Sequence, residues 1–127
     1  MLEPGLQATV EETVTEEMTA ERLGSGDVSV LGTPVLVAMI EAAAVAAVAD
    51  HLDDGDTTVG SAVELDHVAP SPVGARVEAT AALREVDGRR LRFAFEVTDP
   101  AGPVARGSHH RVIVDRRRFL ASARSRS

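Results

Sequence analysis

From Leu31 to Ala49 the chain reads LGTPVLVAMIEAAAVAAVA, and the only charge between Asp27 and Asp50 is Glu41. Any fold open to this chain has to hide that segment. Thr33 is a good N-cap residue, Pro34 suits the first helical position and Gly55 is a stop signal, so the pattern predicts a helix over Pro34–Leu52. Apolar side chains occupy nearly every face, which asks for burial on most sides. A membrane span is the competing use of such a run. Glu41 interrupts it at the middle and Pro34 near the start, and each apolar piece falls short of the roughly 20 residues a span needs. A buried helix, with no membrane partner, is the expectation.

The rest of the pattern is β. Leu6–Val14 (LQATVEETV) mixes β-branched and polar residues as an edge strand does. Thr15–Leu23 is polar and reads as turns, and Gly24–Asp27 as a flexible loop. Strands are expected over Thr57–Ala69, Ala75–Val86, Arg89–Thr98 and Val104–Val114, separated by the turns PSPVG, Asp87-Gly88 and DPAGP. Asp-Gly between alternating strands is a strong hairpin signal, and Leu91, Phe93, Phe95 and Val97 share one strand face. The order strand, helix, then four antiparallel strands describes an α+β protein: a curved antiparallel sheet wrapped around one long central helix, the hotdog fold. With 127 residues, 1–127 is expected to be a single domain with 116–127 as a basic C-terminal tail. Such a core is built from small side chains, since aromatics are only 2% of the chain. A second protomer would cover the helix and remove a sheet edge, so a homodimer, or a tetramer built from two, is expected.

Charge narrows the function classes. All thirteen cations are Arg, and with twenty acids the net charge is −7. Arg116, Arg117, Arg118, Arg124 and Arg126 crowd the end; without them the remaining eight arginines face twenty acids, a net −12. An acidic body with almost no aromatics excludes general nucleic-acid binding. The tail reads as a solvated end, with phosphate contact as the lesser reading. Without cysteine there is neither a disulfide framework nor a thiolate metal site. The start MLEPGLQATVEE lacks a basic and then apolar stretch, so no secretory signal is read and a cytoplasmic protein is expected.

Three residues stand out chemically. Glu41 lies mid-helix among Val37, Ala38, Ile40, Ala42, Ala44 and Val45. A buried carboxylate must find a partner or give up its charge, so Glu41 is either paired with an Arg, turned to solvent at a helix edge, or a working acid, base or nucleophile. His67, in VELDHVAP, can exchange protons near neutral pH; Asp66 points to the other sheet face and is no orienter for it. Thr33 is either a plain N-cap or a hydroxyl beside free helix N–H groups, where a thioester carbonyl could be held and the hydroxyl could position a water or attack the substrate directly. His109 and Arg111 share a strand face opposite to His110, which is poor metal geometry, so no metal is expected; Arg111 fits a carboxylate partner or phosphate contact. His51, near the helix end, reads as structural. There is no G-x-S-x-G, Walker loop or G-x-G-x-x-G.

The segments GTPVLVAMIEAAAVAAVADHL, TVGSAVELDHVAPSPVGARVEATAALREVDGRRLRF and GSHHRVIV, spanning roughly Gly32 to Val114, resemble the fluoroacetyl-CoA thioesterase family of hotdog proteins. The run His67, Ala69, Pro72, Gly74 and the Thr eight residues ahead of a lone helical Glu carry the resemblance. It implies hydrolysis of a short-chain acyl-CoA by a dimer, with Thr33, Glu41 and His67 catalytic, and with Gly60 and Arg111 at the substrate. It implies no cofactor, coenzyme A being part of the substrate. The lead-in GSGDVSVLG departs from the fluoroacetyl-specific form, which has bulky aromatics there as a lid over the acyl group. About 1.5 Å of rise per residue puts Thr33 and Glu41 roughly 12 Å apart on one helix, so either Thr33 folds back on a non-helical lead-in or the working set is drawn from two subunits, the second being the expectation. In it Glu41 is base or nucleophile, Thr33 and the helix N-terminus hold the carbonyl or water, and His67 passes a proton to the thiolate. Two alternatives stay open: a non-catalytic acyl-CoA or small-ligand binding protein, and a hotdog hydratase, which would normally carry an Asp-His pair where this helix has Glu41 alone.

Overall fold

The computed structural model describes residues 2–127. Five antiparallel strands form one sheet in the order β1-β3-β4-β5-β2: β1 (Gln7–Thr13), β2 (Asp56–His67), β3 (Arg76–Asp87), β4 (Arg90–Asp99) and β5 (Gly102–Asp115). The central helix α2 (Thr33–Val48) lies on its concave face, continued by a 3-10 turn over Ala49–His51. The strands agree with the expected ones to within two residues at every end. Gly88, at φ +60°, supplies the left-handed position that the β3–β4 hairpin needs.

The core joins Leu36, Met39, Ile40, Ala43, Ala44, Ala47 and Val48 of α2 to Val77, Ala79, Ala81 and Leu83 of β3 and to Leu91, Phe93, Phe95 and Val97 of β4. These side chains alternate along each strand, which is what turns one sheet face into a wall for the helix. By length and mean hydropathy (1.7) the stretch Thr33–His51 could cross a membrane. It packs on the sheet instead, across β1 and β3.

Two expectations need correction. Helix α2 is not buried on most sides: Pro34, Ala38, Ala42, Val45 and Ala49 form a continuous exposed stripe, because one small sheet reaches only one flank of a helix. Thr15–Leu23 is not plain turn; it holds a 3-10 turn over Glu16–Met18 and the short helix α1 (Ala20–Leu23). Thr19 caps that helix, accepting from the Arg22 N–H. The basic tail is exposed throughout, as a solvated end should be, and is helical over Arg116–Arg124 (α3), capped by Asp115, whose carboxylate accepts from the Arg118 N–H at 3.0 Å.

Candidate active site

Two polar clusters lie on α2, two turns apart. At its first turn the N-cap is Gly32, not Thr33, and no side chain caps the helix. Thr33 is the first helical residue, and its hydroxyl is committed elsewhere: Thr33 Oγ1 and His67 Nδ1 are 2.8 Å apart. His67 comes from the last residue of β2, brought there because the chain after it is fastened to β5 by the Val68 N–H to the Val104 carbonyl at 2.8 Å. The far nitrogen, Nε2, is buried without a hydrogen-bond partner. The pair therefore has one end engaged and one end open.

The second cluster surrounds Glu41. Arg111, on the inward face of β5 and only 5% exposed, donates from Nη1 to Glu41 Oε2 at 3.0 Å. The same guanidinium donates from Nε to Thr58 Oγ1 (2.8 Å) and from Nη2 to the Thr58 carbonyl (3.0 Å). Its Nη1 also lies 3.1 Å from His109 Nε2. Arginine can only donate, so His109 Nε2 must be the acceptor, and its Nδ1–H then donates to the Ala62 carbonyl at 2.9 Å. Burial pushes the His109 imidazole below its usual pKa, and the neighbouring Arg111 charge works the same way against the hydrogen bond to Ala62. His109 is thus a neutral imidazole in one tautomer.

Gly60 explains why this cluster fits. A Cβ there would lie 2.5 Å from Glu41 Oε2 and 3.3 Å from both Arg111 Nη1 and His109 Cε1. Just beyond it the β2–β5 register shifts between Gly60 and Ala62, a bulge that re-aims the strand. Gly60, Ser61 and Ala62 are exposed along this sheet edge.

Of the residues singled out in the sequence, then, Thr33 joins His67, and Glu41 joins Arg111 beside Gly60. Thr33 and Glu41 do not meet within one chain. The imidazole nearest Glu41 is His109, not His67. His109 and Thr58 were missed as members of the site. The available signal for His109 was its inward register with Arg111, two residues on along β5; Thr58 gave none beyond facing the same way.

The family model described as fluoroacetyl-CoA-specific thioesterase matches residues 14–117. The chain belongs to that family. It is 34% identical over 98 residues to the fluoroacetyl-CoA thioesterase of Streptantibioticus cattleyicolor, covering 77% of this chain and 70% of that one. A solved structure of a fluoroacetyl-CoA thioesterase superposes with a TM-score of 0.93 at 28% identity, over 100% of this chain and 98% of the other. A thioesterase-superfamily protein of Thermus thermophilus follows at 0.91 and 28%, over 98% and 93%. As a member of this thioesterase family the chain is a hotdog-fold thioester hydrolase acting on acyl-CoA.

Proposed function

We propose that the protein hydrolyses short-chain acyl-CoA thioesters as a homodimer, Thr33 and His67 of one subunit working with Glu41 of the other. The observation that carries this reading is the Thr33–His67 hydrogen bond, the one hydroxyl–imidazole pair among the described side chains. Such a pair is the minimal device for activating a weak nucleophile.

Thr33 attacks the thioester carbonyl as His67 takes its hydroxyl proton. The oxyanion forms beside the uncapped first turn of α2, whose positive dipole end favours it. The C–S bond then breaks, and His67 returns the proton to the departing coenzyme A thiolate. Water hydrolyses the resulting ester with Glu41 as base, releasing the carboxylic acid and restoring Thr33. Water is the only co-reactant this sequence of steps uses.

The dimer is supported by what one chain leaves uncovered. The apolar stripe Pro34, Ala38, Ala42, Val45 lies open, and β2 ends the sheet with Gly60–Ala62 exposed. Unpaired edges and apolar stripes of this kind are covered by another chain in stable proteins. The two-turn gap between Thr33 and Glu41 supports a composite site for the same reason.

A short acyl group without fluorine selectivity is supported by the placement of the aromatics. Phe93 and Phe95 are in the core and Phe119 is on α3, so none of the three phenyl rings comes from the stretch that leads into Thr33. The family relative is named for a two-carbon acyl group, and the proposed substrate is of that size.

The test uses purified protein, acetyl-CoA and fluoroacetyl-CoA. Free thiol should appear from both at rates within about tenfold, and intact-mass measurement after rapid quenching should show an acetyl adduct that Thr33→Ala lacks. Thiol release with no adduct at any time, together with a Thr33→Ser variant slower than Thr33→Ala, would transfer the attack from Thr33 to a water.

A further inference from the structure

Helix α3 is built against the ordinary electrostatics of a helix. Arg116, Arg117 and Arg118 occupy its first turn, which carries no acid. The N-terminal end of a helix is the positive end of its dipole, where cations cost rather than gain stability. Asp115 offsets this only in part, its carboxylate being turned onto the Arg118 N–H. None of Arg116, Arg117, Arg118, Arg124 and Arg126 pairs with a carboxylate among the described residues, whereas Arg22, Arg76, Arg89, Arg92 and Arg111 all do. No acid follows Asp115. Arg117, Arg118 and Arg124 converge on a groove of about 490 Å³ with Asp115, Leu120 and Ala121. Arg84, Arg90 and Arg106 are also without a carboxylate but stand singly on three strands, whereas the last twelve residues gather five such cations in one exposed stretch.

We propose that α3 is the subsite for the phosphates of coenzyme A, with Arg117, Arg118 and Arg124 contacting the diphosphate and the ribose 3′-phosphate. The proposal rests on the reading of the chain as an acyl-CoA hydrolase. Two observations select this anion. The first is reach. Arg111 and Asp115 are on the same strand, four residues apart, or about 13 Å at 3.3 Å per residue; Arg117 and Arg118 lie within a further turn, and Arg124 about 9 Å beyond Arg118 along the helix, on the side of the more distant 3′-phosphate. The pantetheine arm has thirteen bonds from sulfur to the first phosphorus. At the extension of a polypeptide, 3.3–3.6 Å for every three bonds, it spans about 15 Å. A thioester at the Glu41–Arg111 cluster would therefore carry its phosphates to α3. The second is charge. The body stands at net −12 without the five terminal arginines, so the field of the whole chain steers a polyanion toward this end. Guanidinium groups suit phosphate oxygens through paired N–H donors. The match to the family model ends at residue 117, so Arg118, Arg124 and Arg126 lie outside the shared pattern.

The experiment compares acetyl-CoA with S-acetylpantetheine, which has the same thioester and arm without phosphates. In the wild type kcat/KM should favour acetyl-CoA, and the preference should shrink as salt rises. The triple variant Arg117→Gln/Arg118→Gln/Arg124→Gln should lower the acetyl-CoA to acetylpantetheine ratio at least tenfold, mostly through KM. The control Arg84→Gln, an exposed unpaired arginine on β3, should keep the wild-type ratio. Calorimetry of free coenzyme A on the wild type and the triple variant gives a reading independent of turnover. Weakened coenzyme A binding in the triple variant supports the subsite even if neither thioester is cleaved, a result that would sink only the hydrolase reading. Equal coenzyme A affinity and an unaltered ratio would overturn the subsite. So would loss in the triple variant of binding to vesicles of anionic phospholipid while coenzyme A affinity stays as in the wild type.

Discussion

At the first turn of α2, Thr33 and His67 meet through a single hydrogen bond at an exposed position, and the far nitrogen of the imidazole is unpartnered. Two turns along, Glu41 ends a chain in which Arg111 spends donors on four acceptors and His109 is fixed by two neighbours. The first arrangement leaves a proton free to move. The second leaves almost nothing free: it holds one carboxylate oxygen at a set place beside Gly60. A group that relays protons gains from an open valence on a loosely held ring, whereas a base that must be charged before it acts gains from having one oxygen pinned while the other stays free to take a proton. The two clusters should therefore respond differently to the same kind of substitution.

The widest expected separation is between activity and stability. His67→Ala and Thr33→Ala should each lower kcat by about 10²–10⁴-fold, the usual worth of a positioned proton-transfer group. Both should leave the melting temperature nearly in place, since each removes a half-buried or exposed group with one partner. Glu41→Ala should cost a similar factor in kcat and also lower the melting temperature, because it strands the Arg111 charge, 5% exposed, without its carboxylate. Paired turnover and thermal-melt measurements check this. Equal melting temperatures for Glu41→Ala and His67→Ala would erase the contrast between the clusters.

How much of this was legible beforehand follows from range. The strands and the helix could be read because alternation, the Asp87-Gly88 turn and the apolar run are local signals. Glu41 stood out for the same reason, as one charge in an oily segment. Thr33 was legible as a residue and misread as a cap. Cap propensity describes an isolated helix, and here a histidine 34 positions away takes the hydroxyl. The partner of Glu41 comes from 70 positions away, so pairing with an arginine could be anticipated as a type but not ranked above solvent. His109 and Thr58 became site residues only through the β2–β5 register, which no pattern within either strand specifies. The open stripe on α2 was hidden too, since apolar composition says that a face wants cover and not which chain supplies it.

Gly60→Ala sharpens the comparison with one methyl group. The new Cβ would fall 2.5 Å from Glu41 Oε2, so the carboxylate or the strand must shift. Overpacking of this kind costs about 1–3 kcal/mol, and displacement of a positioned group by about 1 Å can cost about 10²-fold in rate. A fall in kcat of about 10–100-fold with a lower melting temperature is expected, while the Thr33–His67 pair is left untouched. A fully active Gly60→Ala would mean that the saturated cluster is not held as tightly as its hydrogen bonds imply.

The smallest effect isolates His109. His109→Phe keeps a ring against Phe93, whose centroid is 6.2 Å from that of the imidazole, but removes the acceptor for Arg111 and the donor for Ala62. Turnover should fall only about tenfold, since both Thr58 contacts still hold the guanidinium. The pH dependence of stability is the sharper readout. Burial lowers the His109 pKa in the folded chain below the value near 6.5 of the unfolded one. Below pH 6.5 the unfolded chain therefore binds a proton that the folded chain refuses, and stability falls as pH drops. Above pH 6.5 both states are neutral at this position and the contribution is flat. Urea midpoints at pH 7.5 and pH 5.5 should differ less in His109→Phe than in the wild type, by the share this one group supplies. An identical pH response in the two proteins would show that the imidazole is protonated as readily in the fold as outside it. It could then not be the fixed neutral acceptor on which the aim of Arg111, and through it of Glu41, depends.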